Sequence, residues 1–182
     1  EMCIRDRACT AVLALSEDLK PQLLDMGICE VLLPLTDSPS IEVQGNSAAA
    51  LGNLSSKADD YAPFNAVWDT PAGGLHGYLV RFLESEDTTF QHIAVWTLIQ
   101  LLESGNHELE QHIRDSPHLL DLVRQLQSRI GAFESEHEQA DTSTAADTSG
   151  QDVSPEREIA ALSRRIEEIL FEESDDGTSD AK

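Results

Sequence analysis

Residues 41–56 read IEVQGNSAAALGNLSS and residues 88–103 read TTFQHIAVWTLIQLLE. Under a shift of 47, Gln44 falls on Gln91, Leu51 on Leu98 and Leu54 on Leu101. The segments before each copy align as well: MGICEVLLPLTDS (26–38) with GGLHGYLVRFLES (73–85). Gly27 then matches Gly74, Ile28 matches Leu75, Leu32 matches Leu79 and Ser38 matches Ser85. A unit of two or three helices repeating every ~40–47 residues is the signature of an α-solenoid. Each such unit buries its apolar face only against its neighbours, and the array presents a long surface to partners.

Working outward from the repeat, residues 19–26 predict a short helix with Leu23 and Leu24 inward, stopped by Gly27. Residues 28–37 predict a second helix with Ile28, Val31, Leu32 and Leu35 at helical spacing, and Pro34 as a kink. Asp37-Ser38-Pro39-Ser40 is a turn that also offers an N-cap. Residues 41–55 are the long third helix, kept slim by Ala48, Ala49 and Ala50. Leu54 to Gly74 is a longer connection than Leu15 to Gly27. Its extra residues hold Tyr61, Phe64 and Trp68, which predict a short helix packed inward; a partner pocket is the other reading. Thr70–Gly74 is a loop. Helices follow over 75–84, 88–103, 107–115 and 117–130, the last with Leu119, Leu122, Val123 and Leu126 on its apolar face.

Composition changes after residue 130. Residues 131–153 are rich in Glu, Ser, Thr, Asp and Ala and predict a disordered acidic linker. Ser154-Pro155-Glu156 opens a further amphipathic helix over 154–171, with Ile159, Leu162, Ile166, Ile169 and Leu170 in one stripe. A stripe about 15 residues long is marginal alone in water. It either covers the last repeat, fills the groove or pairs with another helix. Glu167, Glu168, Glu172 and Glu173 lie at its C-terminal end, against the helix dipole. Residues 172–182 predict a disordered acidic end. At the other terminus, Met2-Cys3-Ile4-Arg5-Asp6-Arg7 looks like a translated library-preparation adapter, so residues 1–7 are expected to be non-native. Residues 8–16 match the end of a repeat's last helix. The stretch is thus expected to be the C-terminal part of a longer protein, with about three repeats over 8–130. An N-terminal face exposing Val12, Leu13 and Leu15 predicts low stability or self-association.

The formal charge is −22, and residues 131–182 carry 15 acidic and 4 basic residues. That charge disfavours nucleic acid and anionic membrane and favours basic partner segments, or else serves solubility. Cys3, Cys9 and Cys29 form no CxxC pair and no even disulfide set, which fits reduced thiols in cytosol or nucleus. No apolar run approaches the ~18 residues that span a bilayer. Six His lack ligand spacing: His107 and His112 are not on one helical face, and His76, His92 and His118 fall in separate helices. Gly73-Gly74-Leu75-His76-Gly77 has no accompanying nucleophile elbow, and Asn53-Leu54-Ser55 lies in a helix. The expectation is no enzyme, no cofactor and no metal.

Val43-Gln44 followed by Ala50-Leu51-Gly52-Asn53-Leu54 resembles the third helix of an armadillo repeat. Trp96 and Gln100, one turn apart, resemble the armadillo Trp-x-x-x-Asn pair with Gln in place of Asn; the first copy has Asn53 but Ala49 in the Trp position. The resemblance is nearest to the C-terminal repeats of the fungal vacuolar branch of that family. It implies an all-α, armadillo-type solenoid, a right-handed superhelix of three-helix repeats. It implies that Asn53, Trp96 and Gln100 line a groove that holds extended or helical segments of protein partners. Packing between helices is the alternative role for Trp96, and a helix-surface or inter-repeat hydrogen bond is the alternative for Asn53. The resemblance further implies an adaptor peripheral to the cytosolic face of the vacuolar membrane, anchored by an upstream lipid, and serving vacuole inheritance, nucleus–vacuole contact and autophagy. A generic armadillo or HEAT scaffold, or a nuclear-transport-type peptide-binding subunit, is the competing reading; such a transport subunit should show the Trp/Asn ladder complete in successive repeats.

Overall fold

The computed structural model describes residues 16–71, 73–140 and 155–172, apart from the side chains of 131–140 and 171–172. The calls on residues 1–7 and 8–15, on the linker at 141–153 and on the end at 173–182 therefore lie outside the described residues. The exposed face expected at Val12, Leu13 and Leu15 lies outside them too.

All regular structure among the described residues is helical. The first unit comprises α1 (Lys20–Asp25), α2 (Ile28–Leu32) running into a 3-10 turn (Leu33–Asp37), and α3 (Ile41–Ser55). The second comprises α4 (Ala62–Ala66), α5 (Gly74–Glu84) and α6 (Thr88–Leu102). Then come α7 (His107–Arg114), α8 (Pro117–Ala140) and α9 (Pro155–Glu172). The aligned glycines do the same job: Gly27 and Gly74 both have left-handed backbones, at φ 73° and 55°, where the chain turns into a second helix.

The aligned glutamines also act alike. Gln44 Nε2 donates to the Ser38 carbonyl at 2.6 Å. Gln91 Nε2 donates to the Ser85 carbonyl. Each ties the start of a third helix to the end of the second helix before it. These carbonyls have no partner inside their own helices, so the amide removes a desolvation cost. Asp87 and Asn106 cap α6 and α7 through their side chains, whereas Ser40 occupies the N-cap of α3 without a side-chain cap bond.

One face departs from the sequence expectation. In the second helix of the first unit, Val31 is 52% exposed, and the inward residues are Cys29, Leu32, Leu33 and Thr36. Those four residues still fall at i, i+3, i+4 and i+7, so the buried face is a helical one that starts at Cys29, one residue after the Ile28 expected. Pro34 has its effect further on, in the 3-10 turn, where it lacks the N–H of an α-helical turn. A second departure is length: α8 continues to Ala140, ten residues beyond the expected boundary at 130.

The terminal helix is not an appendage. α9 packs on α6 and on α8, as α6 packs on α3 and on α5. The register is the same as well. On α3, the space beside Gly45 is filled by Phe90 of α6. Shifting Gly45 by 47 gives His92, and shifting Phe90 by 68 gives Glu158. His92 Nε2 and Glu158 Oε2 are 3.3 Å apart. The same shift of 68 sets Leu98 on Ile166 and Leu102 on Leu170, all buried. α9 is thus the third helix of a third unit, α7–α8–α9, in which the third helix recurs after 68 residues instead of 47. Two of the acids near its C-terminal end, Glu167 and Glu168, have basic partners. Arg124 lies 3.7 Å from Glu167, Arg165 lies 3.3 Å from Glu168, and Arg114 donates to the Leu170 carbonyl.

One core runs through all three units, from Leu24 and Cys29 to Ile166 and Leu170. Ile166→Ala is expected to destabilise the whole chain by about 2–4 kcal/mol, because its side chain is fully enclosed. Urea unfolding checks this: the midpoint should fall with an unchanged slope, as for a cooperative unit. Burial, with help from the neighbouring Glu30, pushes the Cys29 thiol up to about 12, and burial also raises the Tyr78 phenol. Both stay protonated in the folded chain at pH values where the unfolded chain has released its protons. Stability should therefore be full below about pH 9, the ordinary thiol value, and should fall as pH rises from there toward 12. Urea titrations at a series of alkaline pH values measure it.

Candidate functional site

The three residues singled out in the sequence lie on two adjacent third helices. Asn53 is on α3 and Trp96 and Gln100 are on α6; each is partly exposed. Trp96 and Gln100 share a face because they are one turn apart. What joins them to Asn53 is the residue next to it. A Cβ built on Gly52 would fall 2.6 Å from Trp96 Cζ3 and 2.8 Å from Thr97 Oγ1. The indole therefore rests against the bare backbone of α3 at Gly52. Trp96 and Gln100 thus stand on the α6 side of the α3–α6 junction, and Asn53 follows Gly52 on the α3 side.

A chain of buried contacts stands behind that junction. Thr97 Oγ1 donates to the Ile93 carbonyl at 2.8 Å and accepts from the Tyr78 hydroxyl at 3.3 Å. Tyr78 is fully enclosed and meets Phe82 edge-on, with ring centroids 4.8 Å apart. Phe82 in turn stacks on Phe90 at 4.6 Å. These aromatic pairs hold α6 against α5, so the backbone that carries Trp96 has little freedom to move.

The role of Gly52 was missed in the sequence, although a signal was there. Glycine inside a helix costs about 1 kcal/mol relative to alanine, so a mid-helix glycine points to a close approach. The aromatic cluster at Tyr61, Phe64 and Trp68 belongs to the core, not to an open pocket: all three are buried. Trp68 stacks on His112 at 5.3 Å and Tyr61 donates to the Ser55 carbonyl at 2.8 Å, so α4 is fastened to α7 and to the end of α3. His92 and His118 face single carboxylates, Glu158 and Glu84. Among the described residues no group of three or more His, Cys, Asp or Glu is placed to hold a metal ion. No helix among them is long and apolar enough to cross a membrane.

Residues 16–56, the first unit, match the family model of the armadillo/beta-catenin-like repeat. With three-helix units stacked in a constant register, the chain belongs to the armadillo-repeat family. Its relatives are more particular. It is similar to vacuolar protein 8 of Schizosaccharomyces pombe, 62% identical over 122 residues, which are 67% of this chain and 22% of that protein. It is similar to vacuolar protein 8 of Gibberella zeae, 50% identical over 163 residues, 90% of this chain and 27% of that protein. Against vacuolar protein 8 of Saccharomyces cerevisiae it is 44% identical over 119 residues, 65% of this chain and 21% of that protein. The chain therefore spans about a quarter of the length of these fungal homologues.

The Gly52–Trp96 contact makes two substitutions on the same helix diverge. Gly45→Ala places its methyl at an ordinary 3.6 Å from Phe90 Cε1 and should stabilise by about 0.5–1 kcal/mol through helix propensity. Gly52→Ala gains the same propensity but must displace the indole, and should destabilise by about 1–3 kcal/mol. Thermal unfolding with tryptophan fluorescence separates them: only the second variant should shift the emission of the folded chain.

Proposed function

We propose that this chain is the partner-binding segment of a vacuolar armadillo adaptor. Its third helices form a groove in which Asn53, Trp96 and Gln100 hold extended or helical segments of protein partners. The observation that carries the reading is the seat of Trp96. Its six-membered ring rests against Gly52 and remains partly exposed. A preorganised aromatic face binds an apolar side chain without first losing rotamer freedom. Amides on Asn53 and Gln100 suit a partner's backbone, since each offers both a donor and an acceptor.

The kinship with fungal vacuolar protein 8 supports a setting at the vacuole. In this reading the protein is peripheral on the cytosolic face of the vacuolar membrane and held there by a lipid anchor outside these residues. It serves vacuole inheritance, nucleus–vacuole contact and autophagy. The charge of −22 argues against nucleic acid and against direct contact with an anionic membrane. Alanine at position 49 breaks the Trp/Asn ladder, which argues against a nuclear-transport receptor.

Affinity capture of the tagged chain from fungal lysate, beside a Trp96→Ala/Asn53→Ala variant of equal helicity, tests the proposal. Vacuolar or autophagy adaptors should be retained by the wild type and reduced about tenfold or more in the variant, since loss of an aromatic anchor commonly costs ~2 kcal/mol. Equal recovery of the same partners on both proteins would place binding elsewhere.

A further inference from the structure

The groove does not end at α6. Under the shift of 68 that aligns α6 with α9, Trp96 falls on Arg164 and Gln100 on Glu168. The neighbouring pair fixes the orientation. Thr97, next to Trp96, faces back onto the preceding third helix at Gly52. Arg165, next to Arg164, likewise faces back onto the preceding third helix, with Nε 3.4 Å from Glu103 Oε1. Arg164 therefore stands on the groove side of the third unit, in the position that the indole holds in the second.

Its charge is uncommitted. Among the described residues Arg81, Arg114, Arg124, Arg129 and Arg165 each have a carboxylate or amide partner, and Arg157 is engaged too. Arg164 is exposed and forms no hydrogen bond or ion pair. The carboxylate one turn away, Glu168, is held by Arg165 at 3.3 Å. The last rung of the groove thus offers a guanidinium whose fork matches a carboxylate, one rung beyond an aromatic face.

From this, and resting on the groove reading above, we infer that the segment bound here carries an apolar side chain on Trp96 and an acidic side chain on Arg164. Packed helix axes lie about 8–10 Å apart. An extended chain advances about 3.3 Å per residue. The two side chains are therefore about three residues apart in the partner. The chain's overall negative charge does not oppose this, because exposed charges are screened beyond about 8 Å at physiological salt. It acts on the flanks, where basic residues are favoured, while the residue in contact with Arg164 is acidic.

Selection of a displayed random dodecapeptide library on the full chain, with each recovered peptide then synthesised and measured on Trp96→Ala and on Arg164→Glu, tests the inference. The expected result is peptides that need Trp96 and carry Asp or Glu about three residues from an aliphatic or aromatic side chain. Arg164→Glu should weaken them about tenfold, the effect of exchanging an exposed attraction for a repulsion. Replacing the peptide's acid by Lys should restore binding to that variant. Trp96-dependent peptides that lack the acid, or that ignore Arg164→Glu, would overturn this inference and leave the groove reading standing. An absence of Trp96-dependent peptides would overturn both.

Discussion

The structure depends on the packing of each third helix against the next. α3, α6 and α9 stack in one register, and that register requires small or complementary groups where the backbones approach. Between α3 and α6 the requirement is met by glycine: Gly45 faces Phe90, and Gly52 faces Trp96 and Thr97. Between α6 and α9 polar side chains meet instead, with His92 3.3 Å from Glu158 where Gly45 meets Phe90, and Glu103 at the end of α6 3.4 Å from Arg165. The ladder thus changes from apolar contact to polar and charged contact along its length. Ion pairs this exposed contribute little, so the apolar residues behind them, Ile159, Ile166 and Leu170, are what secure α9.

The same ladder makes the candidate site. Asn53 and Trp96 come from different units, and the indole reaches the α3 backbone next to Asn53 only because Gly52 lacks a side chain. A contact made in this way is as rigid as the stack that supports it, and the Tyr78–Thr97 bond and the Phe82–Phe90 stack lie directly behind it. Side chains that project from such a surface recognise a partner at the cost of little reordering. In the proposed reading, scaffolding follows from stability, since what holds the solenoid together also sets the spacing of its rungs.

Much of this was legible in the sequence because the repeat is strong. The 47-residue shift located α2, α3, α5 and α6 to within a residue or two, and it paired Gln44 with Gln91 before their shared hydrogen-bonding role was known. Two things were less legible. Val31 looked inward because the apolar stripe was drawn from Ile28, whereas the buried face starts one residue on, at Cys29. The place of the terminal helix stayed open between covering the last repeat, filling the groove and pairing elsewhere, because an acidic insertion hides the period: the third helix recurs at 68, not 47. Of the site, Asn53, Trp96 and Gln100 were visible through their resemblance to a known pattern. The part played by Gly52 was not, because a missing side chain carries meaning only once its neighbour is known.

The central claim is that α9 is the third helix of a third unit and folds with the rest. Amide hydrogen exchange measures that directly, residue by residue, in the native chain. The account predicts that the amides of 159–170 are protected to the same degree as those of 94–102, with both sets opening together. Protection confined to 94–102, with 159–170 exchanging as fast as an unprotected chain, would contradict it.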